Sequence, residues 1–262
     1  MDDLIVVTDR QLIENYLRRN VALNIYQLGD LDDFFWPHTT WYGLESGNDI
    51  KSIALLHQPS EFPTLIILID SDLAPARELL KLLIPKLPDQ IYAHLSLGLA
   101  GELGNHFEME NHGEHYKMIL QHPERIPASS SSNPAELTIH DETEILAFYR
   151  ASYPGNWFDA RMLETGCYFG IRDKSQLIAV GGVHVYSPRY RVAALGNIAT
   201  HPDFRGRGLA GEITAAICRK LLGSVSDIGL NVKADNAAAI ACYRKLGFSV
   251  SASYDEILLR RK

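Results

Sequence analysis

The chain is 262 residues long, 46% hydrophobic and 22% charged, the balance of a water-soluble globular protein with two domains or one large one. Its acidic opening "MDDLIVV" argues against a secretory leader, apolar runs such as "TLIILI" are too short to span a membrane, and three cysteines without CxxC spacing argue against disulfides and a cysteine zinc site. A reducing cytoplasm is the expected compartment, and no metal is expected.

Helical patterning fills residues 11–28. Strand patterns follow at "TTWYGLE", "KSIALLHQ" and "PTLIILID". A helix is expected at "APARELLKLLI", a strand at "QIYAHLSL", a stunted helix at "AGELGNHF" and a closing strand at "HYKMILQH". Then comes "IPASSSSNPAE", which can form neither a periodic helix nor a strand and reads as an interdomain linker. Two domains are expected, 1–127 and 135–262, joined by 128–134.

The second half begins with a short strand, "ELTIH", and a helix, "DETEILAFYRASY", with Asp141 as its cap and Glu144 at capping-box spacing. A short helix is expected around "WFDARMLE". Strands follow at "CYFGIR", "LIAVGGVHVYS" and "RVAALGNIAT", the last two joined by "SPRY" into an antiparallel hairpin. Gly181-Gly182 predicts a bulge or a close backbone approach. After the loop "THPDFRGRGLA", the helix "LAGEITAAICRKLL" sets Leu209, Ile213, Ile217 and Leu221 on one face. A strand "SDIGLNVK", a helix "NAAAIACYRKL" stopped by Gly247, and strands "FSVSASY" and "DEILLRR" complete the half. The order of elements repeats between the halves, which suggests two related units.

Charge divides the halves. Residues 1–133 hold 9 Lys+Arg against 19 Asp+Glu, and residues 134–262 hold 16 against 13, so an anionic ligand belongs to the second half. The basic residues there are dispersed, which argues against nucleic-acid binding. "RGRGLA", between strand and helix, suits an anion: Gly206 and Gly208 let backbone N–H groups converge, and Arg205 and Arg207 add charge. No Gly-Lys-Ser/Thr follows, and the GxGxxG fingerprint is absent. The first half carries "SDLAPA" at the matching place, with Asp72 and no glycine.

"GNIATHPDFRGRGLAGEI" resembles the acetyl-CoA-binding segment of the GNAT superfamily of N-acetyltransferases, through Arg205-x-x-Gly208-x-Ala210. "LNVKADNAAAIACYRKLGF" resembles the family's second block, with Asn236, Tyr243 and Gly247-Phe248. The likeness covers residues 136–261, and the whole layout is similar to tandem members such as glycine N-acyltransferase-like proteins. It implies an α/β (α+β) fold of two tandem GNAT-like mixed-sheet domains, the N-terminal one degenerate; Asp72 of "SDLAPA", standing where anion donors should be, is expected to keep that domain from binding coenzyme A.

The resemblance implies an acetyltransferase that uses acetyl-CoA and an amine acceptor, small molecule or peptide, with no nucleic acid or membrane partner, as a monomer or homodimer. Asn197, Ile198, Ala199 and Thr200 would meet the cofactor arm and the acetyl carbonyl, largely through main chain. Arg205, Gly206, Arg207, Gly208, Leu209 and Ala210 would wrap the pyrophosphate, and Asn231 and Asn236 would contact the cofactor. Asn236 also suits a helix N-cap. Tyr243 would be the general acid toward the departing sulfur. The base is open: the strand before the loop has no glutamate, His184 is the nearest by type, Asp255 and Glu256 compare with it, and a water chain is an alternative. Trp157, Tyr186 and Tyr190 are candidates for the acceptor pocket, or for core. Cys242 reads as packing. A coenzyme A-binding sensor or regulatory module without turnover is the alternative function.

Overall fold

In the computed structural model, which describes residues 2–47, 49–58 and 63–262, the first half runs β1 (Asp3–Val6), α1 (Arg10–Leu17), α2 (Val21–Gly29), β2 (Thr39–Ser46), β3 (Asp49–His57), β4 (Thr64–Ile67), α3 (Ala74–Leu83), β5 (Gln90–Ser96) and β6 (Phe107–Leu120). The second half runs β7 (Ala135–Glu136), α4 (Glu142–Ser152), β8 (Phe169–Asp173), β9 (Gln176–Ser187), β10 (Val192–Thr200), α5 (Leu209–Leu221), β11 (Asp227–Lys233), α6 (Ala237–Lys245) and β12 (Phe248–Arg261). The result is a mixed α/β fold in two units. One contains residues up to Lys117 together with Val232–Asp235 and Val250–Lys262; the other contains Met118–Asn231 and Asn236–Ser249.

In the first unit the strands lie in the order β1-β2-β3-β4-β5-β12-β6. The β4–β5 pair is parallel, while β12 runs antiparallel to β5, from Tyr254 opposite Ser96 to Arg260 opposite Gln90. Strand alternation gives β5 and β12 two unlike faces. Ile91, Ala93, Leu95, Ile257 and Leu259 point into an apolar core with Ala76, Leu79, Leu80 and Leu83, the buried stripe of α3. Tyr92, His94, Tyr254 and Glu256 occupy the opposite face.

Three expectations change here. "FSVSASY" and "DEILLRR" are one strand, β12, because the alternation continues through Tyr254-Asp255 without a turn residue. That strand is part of the first unit, whose β5 supplies its hydrogen-bond partners, so the units do not divide at 128–134. The serine run is held to α5 instead of hanging free. Ser130 and Ser131 hydroxyls and the Ser132 N–H donate to Glu212, and Arg219 donates to the Pro127 carbonyl at 2.6 Å. Burial alone would raise the Glu212 pKa, but those serine hydrogen bonds bring it down to about 2. β1, ahead of the first helix, has no counterpart in the sequence reading.

In the second unit the order is β11-β10-β9-β8-β7, with β9 and β10 antiparallel and β10 and β11 parallel. The helix after β7 is capped one step earlier than expected. Thr138 and Asp141 form the capping box, whereas Glu144 bonds the Leu177 N–H and Arg172. "WFDARMLE" becomes a 3-10 turn, Ala160–Thr165, ended by Gly166 at φ 64°. Gly181 and Gly182 do permit close approach. A methyl on Gly181 would meet Ile213 of α5 at 2.7 Å, and one on Gly182 would meet the Tyr168 ring at 2.3 Å on the other face.

Candidate active site

β10 and β11 are paired only from Val192 opposite Asp227 to Leu195 opposite Leu230. β10 nevertheless continues to Thr200 and β11 to Lys233. Past Leu195 the main-chain groups of β10 that would face β11 have no rung in that ladder, so a bound chain can pair with them. Two irregularities coincide with this point. On β9, His184 is an extra residue between Val183, opposite Leu195, and Val185, opposite Ala194. On β10, Asn197 and Ile198 together face Gly181, because Gly196 pairs with Gly182 and Ala199 with Val180.

Asn197 sits in this bulge at φ 55° and is buried. Its carbonyl accepts the Tyr149 hydroxyl at 2.7 Å, and its side-chain Nδ2 donates to the Tyr168 hydroxyl at 3.2 Å. Both tyrosines escape the sequence reading, where they look like ordinary helix and strand aromatics. The available signal is Asn197 itself, a residue tolerant of left-handed backbone within an apolar strand. His184 lies flat against Gly196, where a methyl would fall 1.8 Å from its Cδ2. That places the imidazole beside the residue that precedes the bulge.

The strand ends in the predicted loop. Gly206 and Gly208 have φ of 77° and 78°, and nothing lies within 4 Å of the Cβ position of either. Gly208 is the N-cap of α5 and among the described residues no side chain caps that helix, so the first-turn N–H groups, from Leu209 and Ala210 onward, have no capping acceptor. Arg205 braces the loop by donating to the carbonyls of Thr200 (3.3 Å) and Ser152 (3.5 Å), and Arg207 lies over the Phe204 ring at 4.8 Å. Ser152 adds a buried hydroxyl with no partner among the described residues.

Tyr243 on α6 is buried against Phe248, with ring centroids 6.0 Å apart. Among the described residues nothing hydrogen-bonds its hydroxyl. Burial pushes its pKa well above the usual phenol value, so it holds its proton through the neutral range. Asn236 caps α6 by accepting from the Ala239 N–H at 3.1 Å. Asn231 is one residue past the last β10–β11 rung. Cys242 packs toward Gly211, and burial raises its thiol pKa, which suits packing better than thiolate chemistry. Tyr186 and Tyr190 lie at the hairpin end of β10, roughly 26 Å of strand from Thr200. Tyr186 bonds Ser224, and Tyr190 is buried in the turn, so neither joins the cradle. Trp157 is half exposed in the segment after α4.

The first unit is built differently at the matching place. Its β4–β5 ladder reaches Ile67 opposite Leu95, and the Ser96 hydroxyl then bridges both the N–H and the carbonyl of Ile69 at 2.8 and 2.9 Å. Asp72 accepts the Ala74 N–H at 2.9 Å, taking a helix-start donor that an anion would need. Asp255 and Glu256 also belong to this unit. Glu256 accepts the Tyr92 and Tyr254 hydroxyls at 2.6 Å each, and the Nε2 atoms of His94 and His115 lie 3.5 and 3.4 Å from its oxygens. Burial works against its charge, but His94, His115 and the two tyrosines keep its pKa below the usual value. Burial pushes His94 down to about 4 and Lys117, which lies over the Tyr26 and Tyr254 rings, down to about 7.

Residues 135–248 match the acetyltransferase (GNAT) family. The ribosomal protein bS18-alanine N-acetyltransferase of Salmonella typhimurium is 45% identical over 58 residues, 22% of this chain and 39% of that protein. A tandem GNAT protein from the clavulanic acid biosynthesis pathway is similar over 100% of this chain and 98% of its own, with a TM-score of 0.59 and 15% identity. A Drosophila protein is similar over 99% of each chain, with a TM-score of 0.72 and 16% identity. At these identities the two structures show the fold, and the likeness runs over both halves of the chain. The chain spans less than half the length of the curated relatives it matches. Among the described residues no helix is long and apolar enough to cross a membrane.

Proposed function

Because its residues 135–248 belong to the acetyltransferase (GNAT) family, whose members use acyl-CoA, we propose that the second half transfers an acetyl group from acetyl-CoA to a primary amine of a small molecule or peptide. The observation that carries this reading is the early end of the β10–β11 ladder at Leu195 and Leu230, directly ahead of a loop with two left-handed glycines and an uncapped helix. The pantetheine arm would pair with the main chain of Ile198, Ala199 and Thr200 and lie near Asn231 and Asn236. The pyrophosphate would be held by the loop from Arg205 to Ala210, with Gly206 and Gly208 giving backbone access and Arg207 adding charge.

A neutral amine attacks the thioester carbonyl, the C–N bond forms and the C–S bond breaks. Main-chain N–H groups past the bulge would stabilise the developing oxyanion. Tyr243, protonated and with a free hydroxyl, would give its proton to the leaving thiolate. His184, beside Gly196, is the proposed acceptor of the amine proton. β10 bears no ionisable side chain, and this favours a second reading, a coenzyme A-binding sensor without turnover. Thiol release from acetyl-CoA against a panel of amines separates the two. Transfer predicts release with at least one amine class and a roughly 100-fold lower kcat for Tyr243→Phe. Binding of acetyl-CoA with no release for any amine sinks the enzyme reading and leaves the sensor.

A further inference from the structure

Residue 197 is where β10 stops being a regular strand. Asn197 holds a left-handed φ of 55° inside a strand whose neighbours are apolar, a conformation asparagine tolerates better than most residues but one that a regular strand does not contain. Two other elements bond it there. Tyr149 of α4 bonds the Asn197 carbonyl at 2.7 Å, and Tyr168, just ahead of β8, receives the Asn197 side chain at 3.2 Å. Tyr149 is 1% exposed and Tyr168 is fully buried. Phe158 lies between them, its ring 5.5 Å from each, and Tyr168 is pressed onto Gly182. Both rings are packed against neighbours, which restrains the oxygens that bond Asn197.

The first unit supplies an internal comparison. Its β4 has no positive φ, pairs with β3 without a register shift, and keeps its ladder with β5 to Leu95. β10, which leads into the open anion cradle, has the bulge and its clamp; among the described residues β4, which leads to the place closed by Asp72 and Ser96, has neither. We propose that Tyr149 and Tyr168 are positioning residues for acyl transfer. They hold Asn197 in its left-handed turn and thereby aim the main chain of Ile198 and Ala199 at the acyl carbonyl. The inference rests on the acetyl-transfer reading above, and each tyrosine acts through Asn197.

Tyr149→Phe and Tyr168→Phe each delete one oxygen and keep the ring. Calorimetry with acetyl-CoA, the infrared carbonyl band of bound acetyl-CoA labelled with carbon-13, and steady-state kinetics together test the idea. The expected result is a Kd within about threefold of wild type and a carbonyl band moved back toward its free position. The kcat should fall roughly 10- to 100-fold with little change in KM for acetyl-CoA. Tyr168→Phe carries the same readouts if Tyr149→Phe does not fold. An unchanged band and kcat in folded variants overturns the proposal, as does failure of both to fold or a fall in kcat matched by the loss of affinity. Wild-type protein that binds acetyl-CoA and shifts the band, yet acetylates no amine, defeats the transfer reading alone, and the band in the variants still decides the positioning. No binding by wild type defeats both.

Discussion

His94 is an imidazole that the fold keeps neutral. It faces Glu256, His115, Lys117, Tyr92 and Tyr254, and burial pushes its pKa from 6.5 to about 4. The unfolded chain therefore takes up this proton first as pH falls. Stability is unaffected by His94 above pH 6.5, declines below it, and levels off once pH drops under about 4, a loss on the order of 3 kcal/mol. Urea unfolding of wild type and His94→Gln at several pH values between 7 and 4 measures this. The gap between them should change steadily across that window, and parallel curves would contradict the assignment. Glu256, so well supplied with donors, reads at this scale as a carboxylate held anionic within the first unit.

β12 is the element on which the first unit depends most. It lies between β5 and β6 and contributes Ile257 and Leu259 to the core against α3. A fragment of residues 1–127 lacks it, and leaves β5 as a bare apolar edge. Such a fragment is expected to aggregate, and a peptide of residues 250–262 added during refolding should increase the soluble yield; a fragment that folds and stays monomeric alone would refute this. Helix α5 and the β9–β10 hairpin were legible in the sequence, because their periodicity and turn residues act locally. β12 was readable as strand, but its partner was not, since nothing local says which edge it joins. The same limit hid Tyr149 and Tyr168: their roles depend on where α4 and β8 bring them against residue 197. The cradle, built from consecutive residues, could be read directly.

At the scale of the whole molecule, the duplication is unequal. Among the described residues, the second unit alone combines an interrupted ladder with left-handed glycines at the start of the following helix; the first closes the same place with Ser96 and Asp72. Titration calorimetry with coenzyme A should give one site per chain, and Ser96→Ala or Asp72→Gly alone should not create a second. Two sites of similar affinity would contradict this. The exchanged strand has a further effect, on the timing of assembly. Tyr92 and Glu256, hydrogen-bonded in the first unit, are separated by 164 residues of chain. A ribosome making this protein has already released the parts of the cradle before it supplies the strand that completes the earlier unit. The half that is synthesised first is therefore finished last, and until β12 emerges the edge of β5 stays without its partner strand.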